Sequence, residues 1–374
     1  MATHADVVIV GGGVIGLTTA YYLAREGVSV SILDRGDLGR EASWAGAGII
    51  PPGNVAHART PFDRLRAMSA ATFPDLSRAL LDDTGIDNGY VPCGGIELVE
   101  DDEPSVQPWL DEGIAFQAMT NAELKHLAPG LSSEAGGGYF LPGMAQVRNP
   151  RHLKALIAAC ELLAVGLLPC REVLSLVRQG ERISAVETED GPVEGGKFLI
   201  AAGAWTDELL GPLGWRPGVR PIRGQIALLK CLTMELRSIV LRGKCYLVPR
   251  GDGLVLVGAT EEDAGFASRP TARGIAGLLA FAEKLVPRLA QAYVERCWAG
   301  LRPGSPDGLP FLGQVPGYSN LLVAAGHFRA GIQLSPATGV VMTDLLLDRE
   351  PTIPLAPFRL DRPPALSGQT AFRS

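Results

Sequence analysis

Three glycines near the start of the chain have the spacing that a dinucleotide phosphate requires. They are Gly11, Gly13 and Gly16, and they stand between the apolar run Val7–Val10 and a helical pattern over Leu17–Glu26. The first glycine permits a tight turn, the second lets the backbone approach a pyrophosphate, and the third lets the helix pack closely on the sheet. The positive end of that helix then faces the anion. This stretch therefore predicts a site for a dinucleotide cofactor.

An acidic residue stands where such a fold binds the ribose. Asp34 ends the apolar run Val28–Leu33, which we interpret as the second parallel strand, and its carboxylate can accept hydrogen bonds from a ribose hydroxyl. A glycine turn without a nucleotide is the alternative, and the order strand, glycines, helix, strand and acid argues against it. These first elements alone do not distinguish NAD from FAD.

The composition is typical of a globular protein with room for two cores. The chain has 374 residues, of which 47% are hydrophobic and 20% are charged. Its formal net charge of −6 argues against a nucleic-acid partner and leaves anionic substrates to local arginines. No apolar run approaches the ~18 residues of a membrane span, and no basic leader precedes the first strand. We therefore expect a cytoplasmic protein without a membrane span.

The cysteines show no spacing typical of a metal site or of a disulfide framework. We therefore expect reduced thiols and no bound metal. The six cysteines are Cys93, Cys160, Cys170, Cys231, Cys245 and Cys297.

The order of helical and strand patterns predicts an α/β plus α+β fold with two discontinuous domains. A helical pattern over Asp63–Asp82 is followed by alternating runs such as Gly95–Val99, which indicate an antiparallel sheet. Nucleotide-domain patterns return with the helix Pro150–Val165 and with the small residues Ala201–Trp205 after an apolar strand. We assign residues 1–88, 148–219 and 297–361 to the nucleotide-binding domain, 89–147 and 220–296 to a substrate domain, and 362–374 to a flexible tail.

The last structured segment predicts a second contact with the cofactor. A strand over Leu321–Gly326 is followed by the loop His327–Leu334. We expect the final helix to begin at Ser335 as N-cap, with Pro336 at its first position, and to end at Leu347. The N–H groups and partial positive charge of its first turn would then point at the cofactor.

Five segments occur in an order and form that identify a family. They are Val8–Gly16, Ala42–Gly48, Ala202–Trp205, Gly300–Pro310 and Gly326–Ile332. Together they resemble the D-amino acid oxidase family of FAD-dependent amine oxidoreductases, and within it the branch that oxidises glycine for thiamine synthesis. The resemblance implies a Rossmann-like FAD-binding domain of the glutathione-reductase type and an antiparallel-sheet substrate domain.

The same resemblance implies how the cofactor is held. The glycine turn would bind the FAD pyrophosphate, Asp34 the ribose, Ser43 and the small residues after it the diphosphate and flavin ring, and the loop before the last helix the pyrimidine edge. Donors around Ile332–Ser335 would stabilise negative charge on the reduced ring. The implied set is Gly11, Gly13, Val14, Ile15, Gly16, Asp34, Arg35, Ser43, Ala45, Gly46, Ala47, Gly48, Val173, Ala202, Gly203, Trp205, Arg302, His327, Arg329, Gly331, Ile332 and Leu334.

The mode of attachment is also implied by the resemblance. Sarcosine oxidases of this family attach flavin through a cysteine, but the matching position near Gly300 has none, and Cys297 lies too early in the chain. We therefore expect noncovalent FAD.

The carboxylate is the group of a small amino acid that a protein can bind most strongly, and a buried carboxylate favours the bidentate geometry of arginine. Arg302 is the candidate for this contact. The resemblance implies that Tyr246 donates its hydroxyl to the same carboxylate and that Arg329 closes the site. The structural alternatives are a solvated loop arginine at 302 and a core aromatic at 246. No catalytic base is assigned, since positioning and electrostatics would carry the reaction.

The implied reaction is the oxidative deamination of glycine, with sarcosine and small D-amino acids as further substrates. It would give an imine and then glyoxylate, with O2 reduced to hydrogen peroxide. Relatives form homo-oligomers, so we expect a dimer or tetramer. Lys244 precedes Tyr246 on the same strand face, where it is either an extra cation that favours acidic substrates or an exposed edge lysine. The effect of Ile49–Pro52 on the pocket is left open.

Three other functions remain to be compared with this one. The nearest is a D-amino acid or sarcosine oxidase or dehydrogenase that passes electrons to another acceptor. A nicotinamide-dependent dehydrogenase shares the first elements, but the segments Ser43–Gly48 and Gly326–Ile332 count against it. A noncatalytic or RNA-modifying flavoprotein is disfavoured by the absence of a basic stripe.

Overall fold

Two eight-stranded sheets organise the computed structural model, which describes residues 4–99, 106–231 and 236–363. The strands, in chain order, are β1 (Ala5–Val10), β2 (Val30–Leu33), β3 (Ile49–Ile50), β4 (Val91–Pro92), β5 (Gly95–Leu98), β6 (Gln117–Met119), β7 (Gly138–Leu141), β8 (Ala145–Gln146), β9 (Gly166–Leu168), β10 (Val173–Gln179), β11 (Arg182–Thr188), β12 (Gly191–Ile200), β13 (Arg220–Lys230), β14 (Ile239–Arg242), β15 (Cys245–Pro249), β16 (Leu254–Gly258), β17 (Tyr293–Gly304), β18 (Phe311–Gln314) and β19 (Leu321–Ala325).

The helices pack on the faces of these sheets. They are α1 (Val14–Arg25), α2 (Ala42–Ala45), α3 (Pro61–Thr84), α4 (Gln107–Glu112), α5 (Asn121–Leu127), α6 (Asn149–Leu162), α7 (Thr206–Leu210), α8 (Ala272–Leu285) and α9 (Gly331–Leu346). Short 3-10 turns lie at Ser133–Ala135, Gly203–Trp205, Gly211–Leu213, Pro287–Gln291 and Ala356–Phe358.

The first sheet is parallel at its centre, in the order β19-β12-β1-β2-β9. The hairpin of β10 and β11 extends it beside the start of β12, and β18 pairs antiparallel with β19. Strand β1 is an uninterrupted apolar run because both of its faces are covered, and Val8 and Ile9 are fully buried. The carboxyl ends of β1, β12 and β19 lead into the glycine turn, the turn Gly203–Trp205 and the loop before α9, so these three segments meet at one edge.

The second sheet has the order β17-β13-β16-β15-β14-β5-β7-β6 and is antiparallel except where β14 and β5 run parallel. One face packs on α8 through a core that includes Leu247, Val257 and Leu278. The opposite face carries Ile226 and Tyr246. A third, small sheet has the order β3-β8-β4. The fold class expected from the sequence is confirmed by this mixed α/β architecture.

Helix α3 is longer at both ends than the predicted Asp63–Asp82. Thr60 caps it by accepting a hydrogen bond from the N–H of Asp63, whose carboxylate accepts from the N–H of Thr60 in return. Gly85 ends the helix in the left-handed region, with φ of 70°.

The predicted start of the last helix at Ser335 is wrong, because α9 begins at Gly331. Pro336 has no N–H, so the carbonyl of Ile332 lacks its usual helical partner. The Ser335 hydroxyl donates to that carbonyl at 3.0 Å instead, which lets the proline lie inside the helix. The first turn is therefore formed by Gly331 and the residues after it, closer to the edge of the first sheet than predicted.

Two structural facts bear on the predicted domain limits. Strand β17 pairs with β13 along its whole length, so it runs across the boundary placed at 297. Arg362, the first residue of the predicted tail, is fixed by a two-pronged ion pair with Asp307 at 2.7 and 2.8 Å and by its stack over Phe311. Most of that tail, 364–374, lies outside the described residues.

A buried histidine in the first core makes stability depend on pH. Nδ1 of His152 lies 3.2 Å from the Asn88 amide nitrogen and accepts its hydrogen bond, and burial lowers the His152 pKa to about 4. An unfolded histidine titrates near pH 6.5. Between pH 6.5 and 4 the unfolded chain therefore binds a proton that the folded chain does not. Stability from this group is complete above pH 6.5 and falls as the pH is lowered through that window.

We predict that His152→Gln reduces the pH dependence of stability. Acidification to pH 5 should lower the free energy of unfolding of the wild type by about 2 kcal/mol through this group, and the variant should lack this contribution. Urea unfolding at pH 7.5 and at pH 5 measures the difference. The exposed His57→Gln serves as control and should keep the wild-type dependence. A His152→Gln protein with the full wild-type slope would contradict the assignment.

Candidate active site

A cavity of about 440 Å³ is lined by residues from both large sheets. Its lining includes Asp34 and Arg35, which follow β2, and Tyr246 and Arg302, which belong to the second sheet. The glycine turn, the loop after α2 and the start of α9 contribute residues as well. This single cavity therefore connects the predicted nucleotide site with the predicted substrate residues.

The glycine turn is held so tightly that side chains are excluded. Gly11 has φ of 114°, and a Cβ there would lie 2.3 Å from the carbonyl oxygen of Ala201. A Cβ at Gly16 would lie 2.0 Å from the carbonyl oxygen of Gly11. Gly16 does not itself line the cavity, so its contribution is the close packing of α1 on β1.

Asp34 lies beside this turn with both carboxylate oxygens in use. They accept hydrogen bonds from the N–H groups of Gly12 at 2.8 Å and Gly36 at 2.9 Å. Burial raises the Asp34 pKa, and the two backbone donors oppose that effect. Next to it, the Arg35 guanidinium stacks 3.5 Å above the Trp205 ring centroid, and both residues line the cavity.

The segment from Ser43 to Gly48, which includes the end of α2, is fixed through its carbonyl groups. Each of four carbonyls accepts a hydrogen bond from outside the segment, and Asn149, Trp298 and Arg250 supply three of the donors through their side chains. The pairs are Asn149 Nδ2 to Ser43 at 2.7 Å, Trp298 Nε1 to Ala45 at 3.1 Å, Arg250 Nη2 to Ala47 at 2.8 Å and the Val147 N–H to Gly48 at 2.8 Å. Four anchored carbonyls among six consecutive residues hold the segment in place, which suits a surface that must fit a planar ring.

Arg250 is a buried cation that the sequence did not single out. Its guanidinium donates to the carbonyls of Ala47 and Val147 and to the Gln146 side chain. Burial lowers its pKa to about 10, and the nearby Arg148 acts in the same direction, so Arg250 remains charged at neutral pH. It ties the end of β15 to the loop that lines the cavity.

The start of α9 also opens onto the cavity. Gly331, Ile332 and Gln333 line it, and the N–H groups of a first helical turn have no partners within the helix. His327 lies just before, with Nε2 3.2 Å from the Thr338 hydroxyl. Burial lowers the His327 pKa to about 3, so the ring is neutral. Leu334 is fully buried and does not line the cavity.

Tyr246 and Arg302 lie beside each other where the second sheet lines the cavity. Arg302 donates through Nη1 to the carbonyl of Thr260 at 2.9 Å. Burial raises the Tyr246 pKa, with Arg302 and Arg329 opposing, so the hydroxyl keeps its proton. Tyr246 therefore presents a protonated hydroxyl that can donate a hydrogen bond to a bound anion.

Two glycines make room for this pair. A Cβ at Gly224 would lie 2.2 Å from Arg302 Nη1, and a Cβ at Gly258 would lie 2.6 Å from the Tyr246 ring. Neither glycine was predicted, because the strands that carry them are paired only in the folded sheet.

Arg329 and Lys244 lie at the same part of the cavity. Arg329 donates to the Lys244 carbonyl at 3.1 Å, and Lys244 Nζ lies 3.1 Å from the Glu261 carboxylate. The Lys244 side chain is 71% exposed, which agrees with the interpretation as an exposed lysine, although the residue also lines the cavity. Ile49 and Pro51 line the cavity too, so the segment left open in the sequence does shape it.

The structure thus brings the predicted cofactor and substrate residues to one cavity, apart from Gly16 and Leu334. Cys297 does not line it, whereas Cys245 does. Within residues 4–99, 106–231 and 236–363, the helices are all too short or too polar to cross a membrane.

Comparison with known proteins identifies the family. The family model described as FAD dependent oxidoreductase (DAO) matches residues 6–345. The chain belongs to this family. It is an FAD-dependent oxidoreductase, and the resemblance drawn from the five segments is confirmed. FAD rather than NAD is the cofactor of such enzymes, which answers the question left open by the glycine turn.

Individual relatives are similar over almost the full length. The chain is 40% identical to the glycine oxidase of Pseudomonas aeruginosa over 354 residues, 94% of this chain and 97% of the relative. The crystal structure of glycine oxidase from Geobacillus kaustophilus matches with a TM-score of 0.92 and 34% identity, covering 97% of this chain and 100% of that one. The bifunctional protein ThiO/ThiG of Trichormus variabilis is 33% identical over 373 residues, 96% of this chain and 55% of that protein.

Proposed function

We propose that this protein is a glycine oxidase that uses noncovalently bound FAD. The observation that carries the proposal is the Tyr246 and Arg302 pair, which faces the same cavity as the dinucleotide turn. A guanidinium and a protonated hydroxyl side by side form a site for one carboxylate. The similarity to glycine oxidases of two bacteria supports the proposal that this carboxylate belongs to a small amino acid.

The residues present fit FAD. The turn at Gly11 is a cradle that a Cβ would fill, the start of α1 faces the cavity through Gly13 and Val14, and the bonded carbonyls of Ser43–Gly48 fix a surface beside it. Cys297, the cysteine nearest in sequence to the attachment position of sarcosine oxidases, does not line the cavity. Cys245 does line it, and its Sγ lies 4.0 Å from the Ala259 carbonyl oxygen. We propose noncovalent binding, so acid precipitation should release the yellow colour from the protein. Colour that stays with the precipitate would contradict noncovalent binding.

The glycine turn, Asp34 and the start of α9 would hold FAD, which would supply the two-electron oxidation of the amine to an imine, with O2 reduced to hydrogen peroxide. Arg302 would hold the carboxylate, and Tyr246 would donate its hydroxyl to it. Ile49 and Pro51 line the same cavity and would contribute to its shape. The described carboxylates that line the cavity are Asp34, Glu41, Glu172 and Glu208, and none lies on the elements that carry Tyr246 or Arg302. Catalysis would therefore rest on positioning rather than on a side-chain base.

We further propose the wider setting expected from the sequence. Residues 1–88, 148–219 and 297–361 would form the FAD domain, and 89–147 and 220–296 the substrate domain. The enzyme would act as a cytoplasmic homo-oligomer and supply imine for thiamine thiazole synthesis, which the similarity to a ThiO/ThiG protein supports.

A substrate panel tests the choice of glycine. Oxygen uptake and peroxide formation should be highest in kcat/KM with glycine, and lower with sarcosine and D-alanine. The result against the proposal is turnover of D-alanine or sarcosine at a clearly higher kcat/KM than glycine. Flavin reduction by an amine without oxygen uptake would instead support the alternative of a dehydrogenase with another electron acceptor.

Gly224→Ala should weaken substrate binding without unfolding the protein. The new methyl group would displace the Arg302 guanidinium, the end of a flexible side chain, so we expect the KM for glycine to rise about tenfold. Steady-state kinetics and the melting temperature measure the two effects. Gly277→Ala on α8 is the control, because a Cβ there meets no atom within 4 Å. A normal KM in Gly224→Ala would show that the position of Arg302 is not critical.

A further inference from the structure

Three cations gather at the part of the cavity that carries Tyr246. Arg302, Arg329 and Lys244 all line it. One carboxylate contacts the outer two: Glu261 Oε1 lies 3.1 Å from Lys244 Nζ, and Glu261 Oε2 lies 3.8 Å from Arg329 Nη1. Among the described residues, these are the salt bridges within 4.0 Å that involve Arg329 or Lys244.

The three side chains of this outer cluster differ in exposure. Glu261 is 28% exposed, Arg329 is 20% exposed, and Lys244 is 71% exposed. Arg329 is also held by the Lys244 carbonyl at 3.1 Å, so the tip between β14 and β15 and the loop before α9 are joined at this point. Glu261 does not itself line the cavity, but it offsets the charge of two cations that do, and it forms no salt bridge with Arg302.

We propose that Glu261 is a specificity-determining residue that makes the site prefer amino acids with a single carboxylate. The proposal rests on the glycine oxidase function proposed above. With Glu261 paired to Lys244 and Arg329, Arg302 is the cation of these three that has no carboxylate partner among the described residues, and one guanidinium matches one carboxylate. A second carboxylate on the substrate would meet Lys244 and Arg329 only by competing with Glu261, and it would be repelled by that carboxylate.

Replacing Glu261 with glutamine tests this directly. The neutral amide frees both outer cations, so a dicarboxylate gains a partner and loses a repulsion. We expect the dissociation constant of malonate, measured from the flavin spectrum of the oxidised holoenzyme, to fall about tenfold, while that of acetate changes less than about twofold. In turnover, kcat/KM for iminodiacetate should rise relative to glycine by a similar factor.

The spectral titration separates this proposal from the proposed function. Malonate and acetate bind without being oxidised, so the affinity ratio can be measured even if glycine is not the substrate. Glu283→Gln on α8 is the matched control, since it removes the same charge from an exposed residue that pairs with neither Lys244 nor Arg329, and it should leave the ratio at the wild-type value.

A second variant should change the affinity for malonate, relative to that for acetate, in the opposite direction. Lys244→Met leaves Glu261 offset by Arg329 alone, so malonate should bind more weakly relative to acetate than in the wild type. Adding Lys244→Met to Glu261→Gln should remove part of the gain for malonate. The proposal is overturned if Glu261→Gln tightens acetate and malonate equally, or leaves both unchanged, or if Lys244→Met does not lower the relative affinity for malonate.

Discussion

Replacing Arg302 with alanine should raise the KM for glycine by about 30-fold or more. The loss of one charge-assisted contact to a buried carboxylate costs roughly 2–5 kcal/mol, which corresponds to factors from about 30 to several thousand. Tyr246 would remain, but its neutral hydroxyl cannot replace the positive charge that Arg302 places beside the carboxylate. Steady-state oxygen uptake over a wide range of glycine concentrations measures the effect, and Arg302→Lys should recover part of it, because a lysine supplies charge without the bidentate geometry.

The control for this variant lies on the same strand. Arg296 is an exposed residue of β17 that does not line the cavity, so Arg296→Ala should keep the wild-type KM. Flavin content should be measured for each protein, since a loss of cofactor would lower activity for another reason. An Arg302→Ala enzyme that retains both flavin and the wild-type KM would remove Arg302 from the substrate site.

Replacing Gly11 with alanine should yield a protein that is purified without bound flavin. The backbone there has φ of 114°, and the added methyl carbon would lie 2.3 Å from the carbonyl oxygen and 2.6 Å from the carbonyl carbon of Ala201. Both are backbone atoms of the segment that follows β12, so neither can move like a side chain. We expect the dissociation constant of FAD to rise at least about 100-fold, as measured by flavin fluorescence during titration of the apoprotein.

The Gly180→Ala variant separates the strain of a positive φ from the steric clash of the added methyl group. Gly180 also has a positive φ, 63°, but a Cβ there meets no atom within 4 Å. This variant should carry the strain of the backbone conformation while keeping its flavin. If both variants lost flavin equally, or if Gly11→Ala kept a full complement, the glycine turn would not be the phosphate site.

The parts of the fold and of the site that could be predicted from sequence are those encoded by neighbouring residues. The turn at Gly11, the acid at Asp34 and the apolar strand between Val7 and Val10 each depend on a few consecutive positions, and the structure places them together as expected. A local signal can also mislead. Ser335 and Pro336 look like a helix start, but the serine hydroxyl replaces the missing N–H of the proline, and the helix begins earlier.

The features that escaped prediction depend on contacts between distant parts of the chain. Arg250 reaches Ala47 across 203 positions, and Trp298 reaches Ala45 across 253. Nothing near Arg250 in the sequence distinguishes it from a surface arginine. Gly224 is needed only because β13 and β17 pair and bring the Arg302 side chain over it. Such residues are recognised once the sheet register is known.

The visible spectrum of the purified protein without oxygen, before and after the addition of glycine, tests the central claim most directly. We predict an oxidised flavin band that bleaches when glycine is added and returns when air is admitted. A flavin band that glycine leaves unchanged, while sarcosine or a D-amino acid bleaches it, would contradict the assignment of glycine as the substrate.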